Sequence, residues 1–341
     1  MKRSRIVLFF ILTIMNPILA QSEAGAIFLL IAPGARAGGM GEAQVAVAND
    51  AYASYWNPAG LGFLEGRELA LMHVNWLPGL ADDLYYEFVA YRKSFPNLGT
   101  IGGHLIFLNL GEQIRTDEEA NNLGTFSSYM TAFAVSYSAL ISKNQSFGIN
   151  AKVSRQHLVD QGAGSEKGKG YSTDFGFDIG YMHKGWLTPG LTLGINLSNL
   201  GPEISFIDPD QADPQPTNLT LGFNYELIGG ENNKLNIVYD VDKLLVSSYP
   251  DMDWDGDGYI GGYDEDGNES PYNDYNSEGQ IEIAHTDPIY IALFTSWFND
   301  WLLGGDIDYG SNGPGDGDGI IGGYDWVDAD GDGSIDGSKW Y

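Results

Sequence analysis

The sequence predicts an all-β fold, a transmembrane antiparallel β-barrel, and three observations support this prediction. The chain of 341 residues begins with a segment typical of a secretory signal peptide. Between Gly66 and Val246 its apolar residues recur with period two, as β-strands with two unlike faces require. The connections between these segments are alternately short and long, which is typical of outer-membrane barrels.

Residues 1–20 have the parts of a signal peptide. Basic residues precede an apolar run from Ile6 to Ile14, and Ala20 is a small residue at a position where a peptidase could cut. The run is too short to span a bilayer as a helix. After Gln21 there is no unbroken apolar stretch of about 18 residues, so membrane insertion would require a closed barrel. The absence of Cys excludes disulfides and a lipoprotein anchor.

The strand pattern is clearest between Tyr171 and Tyr181, where large, mostly apolar residues alternate with Ser, Asp and Gly. The same alternation recurs in segments 129–139, 147–154, 191–198 and 219–226. A soluble β-sandwich also alternates, because one face of each sheet is buried. A face in bulk water would usually carry many Lys and Glu, whereas this polar face is mostly Gly, Ser, Asn and Thr. A crowded or water-filled barrel lumen explains that composition better.

The connection lengths give an independent argument for a barrel. Taking Glu68–Trp76 as the first of nine strands, the sequence predicts short joins at 95–99, 141–145, 183–190 and 228–233. It predicts long joins at 111–127, 159–169 and 201–217. Outer-membrane barrels have short periplasmic turns and long external loops, so the loop after Val246 falls by parity on the outside. One to three weaker strands are predicted beyond Val246.

A Gly-rich segment behind the signal peptide carries the most specific family signature. Residues 33–43 and 54–61 resemble the N-terminal plug of FadL-like outer-membrane barrels, and within that superfamily the branch containing the PorV and PorQ families. Residues 239–246 resemble the "aDlnKLLv" segment of PorV proteins, and residues 294–300 resemble the short amphipathic segment that follows it. The resemblance extends over roughly residues 33–302.

The resemblance implies a domain organisation. We expect a signal peptide at 1–20, an N-terminal plug segment at 21–65, and an outer-membrane barrel at 66–341 with acidic loops at 251–275 and 312–337. A FadL-like barrel is expected to have 14 strands, more than this sequence provides. We therefore expect that the C-terminal strands are missing and that the barrel is incomplete, since an unclosed barrel would leave a bare edge in lipid.

The resemblance also implies a function and partners. PorV-like barrels receive secreted cargo at the type IX translocon, hold its C-terminal signal domain at the cell surface and deliver it to an attachment complex, without covalent chemistry. This role implies the outer membrane of a Gram-negative-type bacterium, with contacts to the translocon, the cargo, attachment-complex proteins and lipid. One alternative is a FadL-like channel for hydrophobic small molecules or fatty acids. Another is a calcium-dependent surface interaction protein that uses residues 251–336.

The charge is concentrated in the C-terminal third. The chain carries a net charge of −29, and residues 240–341 hold 24 acids against two bases, a net charge of −22. Such a region repels nucleic-acid phosphates, so we expect no nucleic-acid partner. It suits divalent cations instead.

Three acidic segments predict structural calcium as a cofactor. Residues 253–264 match a twelve-residue calcium loop, in which a Gly allows the sharp turn and hard oxygens surround the ion. The predicted ligands of this loop are Asp253, Asp255, Asp257, Asp264 and the backbone carbonyl of Tyr259. A weaker copy offers Asp316, Asp318 and Asp325, with Pro314 in place of the first ligand. A third segment offers Asp328, Asp330, Asp332 and Asp336. The alternative is that these segments are solvated acidic loops that bind no metal ion.

The sequence predicts no catalytic site. The histidines show neither metal-ligand spacing nor a neighbouring nucleophile motif, and they lie at positions 73, 104, 157, 183 and 285. No Gly-x-Ser-x-Gly elbow is present. We therefore expect a non-enzymatic protein with no catalytic residues.

Overall fold

A computed structural model of the protein describes residues 24–79, 81, 83–116, 122–159, 170–206, 212–230, 233–249, 285–302, 324–327 and 337–340. These residues belong to two compact units. One comprises residues 24–245, and the other comprises the described residues after Leu245. No helix in the described part of the chain is long and apolar enough to cross a membrane.

The first unit is built on a nine-stranded antiparallel sheet in which every strand pairs with its neighbour in sequence. The strands are β1 Arg67–Asn75, β2 Leu84–Phe95, β3 Gly99–Thr116, β4 Asn122–Ser142, β5 Gln145–Val159, β6 Gly170–Lys184, β7 Leu191–Leu200, β8 Asn218–Gly229 and β9 Lys234–Leu244. This up-and-down order confirms the predicted all-β fold class. Within the described residues, β1 and β9 do not pair with each other.

One predicted connection is wrong. The join at 111–127 is not a long loop, because β3 continues to Thr116 and β4 already begins at Asn122. The two strands remain paired beyond a register shift between Asn109 and Glu112, as Gln113 with Phe126 shows. Polar residues in this extension hide the period-two signal, although cross-strand hydrogen bonds do not depend on side-chain polarity. The other long joins separate β5 from β6 and β7 from β8 as predicted.

The two faces of the sheet differ in chemistry. The outer face carries large apolar side chains that remain exposed, such as Leu71, Phe133, Phe175 and Phe177. It also carries a row of six rings, one per strand from β1 to β6, with neighbouring centroids 4.9 to 6.5 Å apart. These rings belong to His73, Tyr85, Phe107, Tyr129, His157 and Tyr171.

The inner face is covered by residues 24–65, which we call the N-terminal segment. It contains two 3-10 turns, Ile27–Leu30 and Pro58–Phe63, and two short helices, α1 Ala35–Gly39 and α2 Ala53–Trp56. Its side chains pack on β2, β3 and β4 in a buried apolar cluster that includes Phe28, Ala51, Tyr86, Phe88 and Ile106. Tyr52 stacks on Phe88 with ring centroids 5.1 Å apart.

The second unit has short elements. A strand pair joins β10 Ser248–Tyr249 to β11 His285–Thr286 and is followed by helix α3 Ile289–Leu302. Helix α3 contains the segment 294–300 and buries Ala292 and Ser296, while Phe294 is exposed. Strands β12 Tyr324–Val327 and β13 Gly337–Trp340 form a further pair. Residues 337–340 form a strand although Gly337 and Ser338 have weak strand preference, because their backbone pairs with β12.

Candidate functional site

Glycines on the inner face let the N-terminal segment approach the sheet. Gly148 and Gly180 are register partners on β5 and β6. A Cβ atom at Gly148 would collide with the backbone of Pro58, and one at Gly180 would collide with the side chain of Asn57. Gly194 and Gly222, partners on β7 and β8, likewise face the backbone around Val45. The small residues therefore mark a packed contact, as expected where another backbone approaches a strand closely.

Asn57 joins three parts of this contact. Its side chain is completely buried. The amide Nδ2 donates to the carbonyl oxygen of Val45 at 3.0 Å and to that of Tyr181 on β6 at 3.2 Å. Its Oδ1 accepts from the backbone N–H of Ala59 at 3.1 Å and so begins the 3-10 turn that follows. Because these groups are shielded from water, losing one partner would leave a buried polar group unsatisfied.

A buried ion pair stands at the centre of the inner face. Lys152 on β5 and Asp178 on β6 have side-chain exposures of 6% and 1%, and their Nζ and Oδ1 atoms are 3.0 Å apart. Asp178 also accepts from Asn150 Nδ2 at 2.6 Å and from the backbone N–H of Asn199 at 2.8 Å. Lys152 Nζ donates to Asn199 Oδ1 at 2.6 Å. These partners compensate the cost of burying both charges.

The same cluster holds the N-terminal segment. Asn150 Nδ2 donates a second bond, of 2.7 Å, to the backbone carbonyl of Ser54 in helix α2. On strand β9, at the edge of the sheet, Asp240 Oδ2 accepts from the backbone N–H groups of Gln44 and Val45, both at 2.8 Å. Asp240 belongs to the segment 239–246 that resembles PorV proteins, so this resemblance corresponds to a contact with the N-terminal segment.

A cavity of about 350 Å³ lies between the N-terminal segment and strands β5 and β7–β9. Leu29, Val45 and Trp56 form part of its apolar wall, while Lys152 and Asp242 lie on its polar wall. The Lys152 charge is already paired with Asp178. Asp242 Oδ1 accepts from Thr220 Oγ1 at 2.6 Å. The cavity therefore presents both apolar surface and carboxylate oxygen.

A second charged contact stabilises the N-terminal segment internally. The Arg36 guanidinium donates to Asp50 at 3.1 Å, to Asn49 Oδ1 at 2.6 Å and to the carbonyl of Val47 at 2.7 Å. Burial raises the pKa of Asp50 above its usual value, and the Arg36 charge and the backbone N–H of Tyr52 oppose that rise. Ionised Asp50 therefore costs the folded state some desolvation energy, which Arg36 partly offsets.

Nearly all the predicted calcium ligands lie outside the described residues. This applies to Asp253, Asp255, Asp257, Tyr259, Asp264, Asp316, Asp318, Asp328, Asp330, Asp332 and Asp336. Asp325 lies in β12, where it is the register partner of Lys339. Within the described part of the chain, no group of three or more His, Asp or Glu residues is placed to hold a metal ion. The calcium loops therefore stay a prediction.

The inner-face cluster was not predicted, although the sequence contains a signal for it. Lys152 on β5, and Asp174 and Asp178 on β6, are charged residues on inner faces that otherwise carry uncharged residues. A charge at such a position needs a partner, and only the strand register shows that Asn150 lies opposite Asp178. The partners Asn199 and Ser54 come from distant parts of the sequence and have no local signature.

Comparison with known proteins identifies the family of the chain. A family model described as "Type IX secretion system protein PorV" matches residues 20–251, more than half of the chain. The match includes the N-terminal segment and all nine strands of the sheet. No curated protein matches the sequence. The length of the family match shows that the chain belongs to the PorV family of type IX secretion system proteins.

Proposed function

We propose that the protein is a non-enzymatic outer-membrane component of the type IX secretion system that binds secreted cargo through the cargo's C-terminal signal domain and passes it to the surface attachment complex. The observation that carries this proposal is the family match over residues 20–251. Cargo binding, the attachment complex and the membrane location extend beyond the family assignment and are the parts to be tested.

The outer face supports a membrane location. Exposed apolar side chains such as Phe175, at 62% exposure, and Phe177, at 57%, would be unfavourable in water. The row of rings from His73 to Tyr171 crosses β1 to β6 on the side toward the β1–β2, β3–β4 and β5–β6 connections. Aromatic residues form such girdles where a barrel leaves the hydrocarbon region. The long connections therefore belong to the cell surface in this proposal, where cargo would be held.

The inner cavity favours the shuttle over a fatty-acid channel. A fatty-acid carboxylate would need an available cation, and Lys152 is already bonded to Asp178 and Asn199. Glu42 and Asp242, which also line the cavity, would repel a carboxylate. The channel remains the rival function, and the same experiment decides between the two.

The test is purification of the tagged full-length protein from native outer membranes in mild detergent, followed by mass spectrometry of what co-purifies. We expect secreted proteins that share a C-terminal signal domain. A cargo lacking that domain, expressed in the same cells, serves as the control and should not be recovered. Recovery of the barrel with bound fatty acid and without cargo would contradict the shuttle and favour the channel.

A further inference from the structure

Two cations face each other on the outer face at one end of the sheet. Arg67 on β1 and Lys93 on β2 are register partners, and both are exposed. The Lys93 Nζ lies 4.8 Å from the centroid of the Phe95 ring. Among the described residues, neither cation forms an ion pair with a carboxylate. Like charges directly opposite on neighbouring strands repel each other, so this pair favours an anion between them.

An apolar groove leads away from Lys93 across β2, β3 and β4. Its volume is about 350 Å³, within the usual range of small-molecule sites of roughly 300–1,000 Å³. The groove exists because Gly103 carries no side chain between its register partners Tyr91 and Val135. A Cβ atom at Gly103 would also collide with the carbonyl of Ala134. The apolar walls include Val89, Tyr91, Phe95, Ile101, Leu105 and Phe133.

The cations and the groove together match one chemical class of ligand. Arg forms bidentate hydrogen bonds to phosphate, and Lys supplies a second positive charge beside it. The groove offers almost no hydrogen-bonding groups, so it suits a hydrocarbon chain. We propose that Arg67, Lys93 and this groove bind one anionic glycerophospholipid, with its phosphate between the two cations and one acyl chain in the groove.

The position of the site in the sheet agrees with this ligand. Lys93 lies just before the short turn between β2 and β3. Short turns of outer-membrane barrels face the periplasm, and the leaflet on that side consists of glycerophospholipids. The inference therefore rests on the proposed outer-membrane location. Binding would relieve the repulsion between Arg67 and Lys93 at strand β1, which pairs on only one side within the described sheet.

The first experiment measures lipid binding by native mass spectrometry of the full-length protein, delipidated in detergent and titrated with phosphatidylglycerol or phosphatidylcholine. We expect one phosphatidylglycerol molecule to bind at least tenfold more tightly than phosphatidylcholine. The double variant Arg67→Gln/Lys93→Gln should lose this preference. Lys143→Gln, which removes an exposed cation from another short turn, is the matched control and should behave like the wild type. Equal binding of the two lipids, or an unaffected double variant, would overturn the site.

The second experiment tests the groove. Ile101→Trp places a large ring in it and should weaken phosphatidylglycerol binding severalfold, whereas Ile149→Trp on the outer face of β5 should have no effect. If the two variants bind phosphatidylglycerol with equal affinity, the acyl chain does not occupy the groove. Both proteins should keep the far-UV circular dichroism of the wild type.

Membrane location is checked separately, by carbonate washing of cell envelopes. Release of the protein into the wash would contradict the proposed location itself. Retention in the membrane, combined with no lipid preference, would overturn only the phospholipid site.

Discussion

The inner and outer faces of the nine-stranded sheet differ in composition and in packing. The inner face carries Gly, Ser, Asn and buried charges such as Lys152 and Asp178, yet it is the better packed, because the N-terminal segment fills it and bonds several of its polar groups. The outer face carries the large apolar residues, yet it is exposed. In a soluble sandwich the apolar face would be the core. Here the polar face is the interior, and in the proposed function the apolar face contacts lipid.

The largest effect should come from breaking the charge pair of the inner face. Lys152→Met keeps the volume of the side chain but leaves the Asp178 carboxylate buried without its cation. We expect the free energy of unfolding to fall by about 3–5 kcal/mol. It can be measured in detergent micelles or vesicles by denaturant titration with tryptophan fluorescence. Lys143→Met, which changes an exposed turn residue, is the control and should stay within about 0.5 kcal/mol of the wild type.

A second substitution distinguishes loss of the ion pair from loss of packing at Lys152. The double variant Lys152→Met/Asp178→Asn removes the uncompensated charge and should recover part of the lost stability. If the double variant is as unstable as the sum of the two single variants, the ion pair is not what the substitution disrupts.

The outer face is the place to distinguish a barrel from a water-exposed sheet. Phe177 lies in the middle of β6 and points outward. Phe177→Lys should destabilise the protein in lipid vesicles by about 2–4 kcal/mol, the usual cost of a cation on the lipid face at the bilayer midplane. Thr173→Lys, nearer the row of rings, is the matched control and should cost about 0–1 kcal/mol. Equal, small effects of the two variants would indicate that this face meets water.

A single methyl group should test how closely the N-terminal segment approaches the sheet. Gly148→Ala brings a Cβ atom against the backbone of Pro58, so the segment must shift. We expect a loss of about 1–3 kcal/mol in the free energy of unfolding and faster cleavage within residues 24–65 by added protease. Gly39→Ala is the control, because nothing lies within 4 Å of the added atom. Identical proteolysis of the two variants would contradict the close packing.

The difference between the faces also explains how much the sequence could predict. Period-two alternation identifies strands because it depends only on neighbours along the chain, and the nine strands were predicted from it. The small residues of the inner face indicated crowding but not its cause. The bond from Val45 to Asp240 joins residues 195 positions apart, so no local pattern could reveal it. The β3–β4 hairpin was underestimated because its outer end is polar.

The acids of the inner face and the acids of residues 253–336 are expected to have different partners. Removing the partner of the second set should therefore have the smallest effect on the stability of the sheet. Asp178 forms an ion pair with Lys152, and Asp240 accepts a hydrogen bond from the backbone N–H of Gln44. Residues 240–341 contain only two basic residues, so few positively charged side chains are present to pair with the acids, and calcium is the proposed partner.

Chelation with EGTA should therefore speed proteolysis within residues 253–336 and change the unfolding free energy of residues 24–245 by less than about 0.5 kcal/mol. Magnesium, which needs stricter octahedral geometry, should not restore protection when calcium does. Proteolysis that ignores calcium would favour a solvated acidic loop, and a large loss of stability in the sheet would mean that the two sets of acids are coupled.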